Sequence, residues 1–205
     1  MIKNLIFDFG QVLVHFDPEY MTSVYVGDKE DISLVSSVVF DRLYWDRLDE
    51  GTISDEEVIA LSLARLPDRL HEDARNVYKN WIYNIPEVDG MGELIEYIKK
   101  EYEVGVFLLS NISEGFAKHE HEIPILKAID GCVFSAVCGL TKPDTKIFDY
   151  ICNKYGLLPE ETVFIDDNEA NVKSAESVGI RSFLFQKNAA ELKVWLDCML
   201  KEKNA

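Results

Sequence analysis

The chain has 205 residues, of which 47% are hydrophobic, and its formal net charge at pH 7 is −16. This composition supports a sizeable core and excludes a disordered chain, while the negative charge argues against nucleic acid and anionic membrane surfaces as partners. No run of about 18 apolar residues is present, no signal peptide precedes the first predicted strand, and the four cysteines lack C-x-x-C spacing, so we predict a cytoplasmic protein with free thiols.

The first predicted element is a short buried strand, Asn4 to Phe9, with an acidic residue near its carboxyl end. The run from Leu5 to Phe7 is apolar and short, which is typical of a strand in a parallel sheet that is covered on both faces. Asp8 follows this run, at the end of the strand where open α/β sheets place their active sites. Taken alone, Asp8 fits a cap of the next turn equally well.

Residues 17–84 follow a helical pattern that contains no second convincing strand. A capping box, Ser54 to Glu57, begins a predicted helix that has an apolar face. Pro67 ends this helix. The sequence therefore predicts a helical cap of residues 17–84, inserted after the first strand of a core that comprises residues 1–16 and 85–205. The other helices predicted in this segment are Ser33–Leu48 and His71–Tyr83.

Strands and helices alternate from Met91 onward. This alternation predicts a parallel sheet with right-handed crossovers. The predicted fold class is therefore α/β, a Rossmann-like parallel sheet flanked by helices, with the helical cap inserted after the first strand. The predicted elements are helix Met91–Tyr102, strand Val104–Leu109, strand Gly131–Cys138, helix Asp144–Tyr155, strand Thr162–Ile165, a helix that ends at Gly179, strand Arg181–Phe185 and helix Ala189–Leu200.

Polar residues follow the predicted strands, and in a parallel sheet these positions meet at one edge. Clustered carboxylates would repel one another, and a divalent cation such as Mg²⁺ removes that repulsion. With Lys142 as a fixed positive charge for phosphoryl oxygens, Asp8 would be free to act as a nucleophile that forms an aspartyl phosphate. The residues that form this pattern are Asp8, Ser110 with Asn111, Lys142, and Asp166 with Asp167.

Together these motifs resemble the haloacid dehalogenase-like (HAD) hydrolase superfamily over nearly the full length of the chain. The helical insert after the first strand is similar to the helical cap of that family. The pattern Asp-Phe-Gly-Gln-Val-Leu-Val, followed by Asp17, resembles a branch of bacterial sugar-phosphate phosphatases similar to α-D-glucose-1-phosphate phosphatase. The four motifs that carry the resemblance are Phe7–Gly10, Leu109–Asn111, Gly139–Asp144 and Val163–Asn168.

The resemblance implies a magnesium-dependent phosphatase that acts on a small phosphorylated metabolite, with a sugar phosphate as the expected substrate and a monomer or weak homodimer as the expected state. Asp8 would be the nucleophile, and Lys142 would neutralise Asp8 and the phosphoryl group. The residues implied to hold the phosphoryl group are Ser110 and Asn111. Those implied to bind Mg²⁺ are Asp8, the Gly10 carbonyl and Asp167, with Asp166 in support.

One position departs from the pattern of the family. Its phosphatases usually carry a second aspartate two residues after the nucleophile, as general acid and base, and here that residue is Gly10. Acid–base assistance is worth roughly 10²–10⁴-fold, so we expect another group to move the proton. Asp17 and His15 are the nearby candidates, with Asp17 favoured, although Asp17 ahead of Pro18 also fits a turn or helix cap.

Aromatic and charged residues cluster in the predicted cap just before Gly51. They are Tyr44, Trp45, Arg47 and Asp49. A sugar ring suits such a mixture, so Trp45 and Arg47 are predicted to bind the substrate. The alternative is that these side chains pack the cap helices against one another.

Several other functions remain open from the sequence. A metal-free haloacid dehalogenase would use the same aspartate, but it has no need of the acidic pair Asp166-Asp167 and resembles a pattern with tyrosine where Gly10 stands. A phosphate-binding protein of weakened activity is favoured by Gly10 alone. A β-phosphoglucomutase-like transferase would keep an acid at that position, and a phospho-receiver domain would carry its acid pair first.

Overall fold

The computed structural model describes residues 1–201. Within this range the strands form one parallel five-stranded sheet in the order β3-β2-β1-β4-β5, with the first strand at its centre. The fold predicted from the sequence is confirmed. The strands are β1 (Asn4–Phe7), β2 (Gly105–Ser110), β3 (Gly131–Phe134), β4 (Thr162–Asp166) and β5 (Arg181–Leu184).

Helices lie between all consecutive strands and after the last one. Those between β1 and β2 are α1 (Pro18–Ser23), α2 (Lys29–Val39), α3 (Arg42–Asp49), α4 (Asp55–Leu63), α5 (His71–Asn80) and α6 (Met91–Tyr102). Those that follow are α7 (Glu114–His119), α8 (Ser135–Cys138), α9 (Thr145–Tyr155), α10 (Glu169–Ser177) and α11 (Ala189–Lys201). In the described part of the chain, no helix combines the length and apolar character needed to span a membrane. We retain the division into a core of residues 1–16 and 85–205 and a cap of residues 17–84 as a proposal.

Several predicted elements differ from the structure, and three of the differences bear on the site. A single helix over Ser33–Leu48 is wrong, because the chain leaves the helical conformation at Phe40 and Asp41 caps a new helix, its carboxylate accepting from the Leu43 N–H at 2.9 Å. The strand predicted over Gly131–Cys138 ends at Phe134, and its second half turns into α8. The first strand ends at Phe7, which leaves Asp8 and Phe9 in the loop that follows.

Alternating residues of the central strands pack on opposite faces of the sheet. In β1, Leu5 and Phe7 join a core cluster that extends into the helices of residues 17–84, while Ile6 joins a cluster under α9 and α10. Each buried side chain of this size contributes about 1.5–3 kcal/mol. The sheet is therefore covered on both faces, and its polar loops are left at the ends of the strands.

The turn after α3 packs directly against the short helix α8. Gly51 adopts a left-handed conformation with φ +70, and a Cβ added there would lie 2.9 Å from the carbonyl oxygen of Ala136. The hydroxyl of Ser135 donates to the backbone carbonyl of Asp49 at 2.6 Å. These contacts join residues 17–84 to the remainder of the chain beside the strand ends.

We expect Gly51→Ala to lower the free energy of unfolding by about 2–5 kcal/mol. The left-handed conformation costs about 1–2 kcal/mol with a side chain, and the overlap with Ala136 adds about 1–3 kcal/mol. Urea unfolding measures the loss. Gly156→Ala is the matched control, since Gly156 has φ +67 and no atom within 4 Å of an added Cβ. Equal losses in the two variants would contradict the proposed close contact.

Candidate active site

A cavity of about 530 Å³ lies at the carboxyl ends of the strands. Its floor comes from the loops after β1, β2 and β4 and from the segment that follows α8. Its opposite wall comes from helix α3 and from aromatic side chains. The floor residues include Asp8, Gly10, Ser110, Asn111, Lys142 and Asp167, and the opposite wall includes Phe16, Arg42, Trp45, Asp46, Asp49 and Trp81.

The centre of the floor is a buried lysine between two carboxylates. The Lys142 Nζ lies 2.7 Å from Asp8 Oδ1 and 2.7 Å from Asp166 Oδ2, and its side chain is 2% exposed. Burial raises the pKa of Asp8 above its ordinary value, and the ammonium of Lys142 opposes that rise. Burial lowers the pKa of Lys142, but the two carboxylates outweigh this effect and raise it overall, so the lysine stays charged.

Asp166 is held rigidly and has no free oxygen. Its Oδ1 accepts from the Asn168 N–H at 2.8 Å, and the Asn171 amide donates to Oδ1 at 3.1 Å and to Oδ2 at 3.0 Å. Oδ2 also accepts from Lys142. This arrangement fits a residue that supports the site and positions the lysine, the supporting role that the resemblance implied for Asp166.

Three carboxylates meet where the sequence predicted a metal site. One oxygen each from Asp8, Asp166 and Asp167 lies within 4.8 Å of the others. Burial raises the pKa of Asp167, and the Asp166 carboxylate raises it further. A hard divalent cation relieves such crowding of negative charge and prefers oxygen ligands, so this donor set fits Mg²⁺. Lys142 bonds to Asp8 through Oδ1, and both Asp8 and Asp167 line the cavity.

Ser110 and Asn111 lie at the end of β2 and line the cavity, where we propose that they hold the phosphoryl group. Ser110 is buried, at 2% exposed. The Asn111 side chain forms two hydrogen bonds to the backbone of Lys142, accepting from its N–H at 2.8 Å and donating to its carbonyl at 2.9 Å. Asn111 thus also fixes the lysine, and one amide hydrogen remains for a ligand.

The residues of α3 that line the cavity are spaced as on one face of a helix. Arg42, Trp45, Asp46 and Asp49 follow positions i, i+3, i+4 and i+7, so they share one side of the helix. Arg47 lies on another side, is exposed, and does not line the cavity. Trp45 does line it, but its indole N–H donates to the Val39 carbonyl at 2.7 Å, and its ring packs against Phe16 and Trp81.

Asp17 is not brought to the cavity. Its carboxylate caps α1 by accepting from the Tyr20 N–H at 3.0 Å, and its side chain is exposed. The structure corrects the expectation that Asp17 moves the proton, because the side chain already satisfies the helix N-terminus outside the site. The sequence analysis also missed Asn171, whose position one turn after the cap residue Asn168 was the available signal.

The parallel sheet, the helices inserted after β1 and the carboxylates around a buried lysine define a class of capped α/β enzymes. Residues 2–179 match the family described as haloacid dehalogenase-like hydrolase, and the chain belongs to that family.

Individual proteins are also similar to this chain. The chain is 28% identical over 197 residues to drimenol cyclase drtB of Aspergillus calidoustus, covering 91% of this chain but only 34% of the relative. It is also 28% identical over 196 residues to D-ribitol-5-phosphate phosphatase of Bacteroides thetaiotaomicron, covering 89% and 91% respectively. A magnesium complex of a HAD family enzyme from that bacterium has a TM-score of 0.71 at 20% identity, covering 95% of this chain and 98% of that one, which shows the common fold.

Proposed function

We propose that this protein is a magnesium-dependent phosphatase that acts on a small phosphorylated metabolite, with sugar phosphates as the substrate class. The observation that carries the proposal is the Lys142 ammonium at 2.7 Å from the Asp8 carboxylate, on the floor of a cavity that also contains Ser110 and Asp167. Membership of a hydrolase family and a phosphatase among the relatives support it. The cytoplasmic location and the state as a monomer or weak homodimer remain proposals from the sequence.

Asp8 is the proposed nucleophile. One oxygen of its carboxylate attacks the phosphorus, the bond to the leaving oxygen breaks, and an aspartyl phosphate forms on Asp8. The ammonium of Lys142 neutralises the charge that Asp8 and the phosphoryl oxygens share, and Ser110 and Asn111 donate to those oxygens. Water then hydrolyses the aspartyl phosphate, which restores the carboxylate and releases inorganic phosphate.

Asp8, the Gly10 carbonyl and Asp167 are the proposed Mg²⁺ ligands, and Asp166 orients them through Lys142 and the loop after β4. When bound, the ion would supply positive charge that stabilises the transferring phosphoryl group. This arrangement uses the acidic pair after β4, for which a dehalogenase has no need. The pair therefore favours the phosphatase over the metal-free alternative.

Two observations support a sugar phosphate as the substrate. The wall opposite Asp8 combines the Trp45 and Trp81 rings with the polar side chains of Arg42 and Asp46. Rings cover the apolar face of a sugar, and charged groups bond to its hydroxyls. The Trp45 and Trp81 rings pack edge to face with their centroids 5.1 Å apart, so no cation fits between them. A relative named for its action on ribitol 5-phosphate belongs to the same chemical class.

Removal of metal tests the proposal. We expect phosphate release from a panel of pentose, pentitol and hexose phosphates to fall to background in EDTA and to return with Mg²⁺, because three adjacent carboxylates repel the phosphoryl group when no cation is bound. Phosphate release assays measure this directly, with nucleotides and chloroacids as comparison substrates. Chloride release from a chloroacid in EDTA, without phosphate release in Mg²⁺, would contradict the proposal.

A further inference from the structure

The loop after β1 lacks a side chain at the point where the reaction needs a proton. Gly10 lines the cavity two residues after Asp8, and a Cβ added there would have no atom within 4 Å. An alkoxide leaving group needs a proton as its bond to phosphorus breaks, and a positioned acid is worth roughly 10²–10⁴-fold. The donor therefore has to come from another wall of the cavity.

The carboxyl-terminal end of α3 brings three acidic residues to that wall, and their surroundings differ. Asp46 is paired with Arg42 at 2.6 Å, and Glu50 is exposed to solvent. Asp49 is half-buried, and within residues 1–201 its carboxylate takes part in no hydrogen bond or ion pair. Asp49 is thus the acid in this wall that is both sheltered from bulk water and free to meet a ligand.

The core of the protein fixes the position of Asp49. The Ser135 hydroxyl donates to the Asp49 carbonyl at 2.6 Å and accepts from the Ile112 N–H at 2.8 Å. Ile112 directly follows Asn111, so one buried hydroxyl joins the end of α3 to the loop that we propose holds the phosphoryl group. The close approach of Gly51 to Ala136 supports the same attachment.

We propose that Asp49 supplies the acid–base group that is missing at Gly10, by contacting the leaving-group oxygen across the cavity from Asp8. This inference rests on the proposed phosphatase function. As Asp8 attacks, the electron pair of the breaking P–O bond goes to the leaving oxygen, which takes the proton of Asp49 and departs as an alcohol. The Asp49 carboxylate then accepts a proton from the water that attacks the aspartyl phosphate, and the electron pair of the P–O bond to Asp8 returns to Asp8.

The electrostatic environment of Asp49 suits this role. Burial raises the pKa of Asp49 to about 8, so the carboxyl group is largely protonated at neutral pH. The charge of Arg42 opposes the rise. The other titratable groups that interact with it are the carboxylates of Asp46, Asp8 and Glu50, which add to the rise, and the phenol of Tyr78 on α5.

The variant Asp49→Asn tests proton donation separately from substrate binding when it is assayed on two substrates whose leaving groups differ in their need for a proton. With a sugar phosphate from the panel above, we expect kcat to fall by roughly 10²–10⁴-fold, and the decline of the unmodified enzyme above about pH 8 to be lost. With 4-nitrophenyl phosphate, whose leaving group needs no proton, we expect the first turnover to stay within roughly tenfold. A burst of nitrophenolate should then precede slow hydrolysis of the aspartyl phosphate, which would lack its base.

The controls separate this inference from the proposed function. Asp28→Asn retains an N-cap on α2 away from the cavity and should match the unmodified enzyme. Introducing Asp at the open position, as Gly10→Asp in the Asp49→Asn background, should restore turnover of the sugar phosphate.

If Mg²⁺-dependent phosphate release persists in Asp8→Asn, the proposed function itself is wrong. If that function holds, three results would overturn the role of Asp49. Asp49→Asn could have the same kcat as Asp28→Asn, or it could slow both substrates equally without a burst. The third result is a fall in kcat on the sugar phosphate in Asp17→Asn in place of Asp49→Asn.

Discussion

Asp8→Asn is expected to abolish phosphate release, with a fall in kcat on the order of 10⁴–10⁶-fold. The amide is close in shape to the carboxylate, so its oxygen still accepts from the Lys142 ammonium, which lies 2.7 Å from Asp8 Oδ1 in the structure. An amide nitrogen cannot form the acyl phosphate, and one anionic ligand of the proposed metal site is lost at the same time. Phosphate release under saturating Mg²⁺ and substrate measures the effect.

Folding has to be monitored in the same variant. Lys142 retains Asp166 as an ionic partner, so we expect the free energy of unfolding to change by only about 1–2 kcal/mol. Asp144→Asn is a suitable control, since Asp144 caps α9 and Asn is an equally good cap residue. Activity in Asp8→Asn within roughly tenfold of the unmodified enzyme, with normal folding, would exclude an aspartyl phosphate on this residue.

Lys142→Met is expected to lose both activity and stability. Removing the ammonium leaves Asp8 and Asp166 buried without their cation. Deleting one partner of a buried ion pair lowers the free energy of unfolding by about 3–5 kcal/mol. Without the ammonium that opposes it, burial raises the pKa of the Asp8 carboxyl further, so the folded protein binds more protons than the unfolded chain. The destabilisation should therefore grow as pH rises and shrink as pH falls towards the carboxyl range.

Urea unfolding of Lys142→Met in EDTA at several pH values measures this result. EDTA is needed because a bound cation would replace part of the missing positive charge. Lys146→Met is the matched control: its ammonium is 3.9 Å from Asp144 and its side chain is 74% exposed, so we expect a change within about 0.5 kcal/mol. A loss in Lys142→Met that is equally small, or independent of pH, would contradict the buried charge cluster.

The residues at the strand ends were predictable because the period and order of the elements place them there. Apolar runs ahead of Asp8, Ser110 and Asp166 indicated buried parallel strands, and parallel strands end at one edge of the sheet. The helix break at Asp41 was not predictable from periodicity, because the apolar residues on both sides of it continue at helical spacing. Only the packing of α3 shows where the chain changes direction.

The wall opposite Asp8 was the part that the sequence left open. Composition before Gly51 indicated a substrate-facing cluster, but it did not distinguish Asp49, which lines the cavity, from Arg47, which faces away. Asp17 had the right chemistry and was close to Asp8 in the chain, yet its carboxylate is used by the first turn of α1. Asp49, by contrast, lines the same cavity as Asp8 although α1 and α2 lie between them in the chain, so closeness in sequence did not identify the right acid.

The sequence by itself determined the parallel sheet and the set of polar residues at its edge, because strand period and connection order are local properties of the chain. The tertiary structure showed that the first strand lies at the centre of the sheet. The tertiary structure alone decided that Lys142 lies between Asp8 and Asp166, that Asn111 holds the lysine backbone, and that α3 turns Asp49 towards the cavity. These contacts join segments far apart in sequence. Their geometry depends on how the inserted helices pack on the loops of the core, which no local pattern encodes.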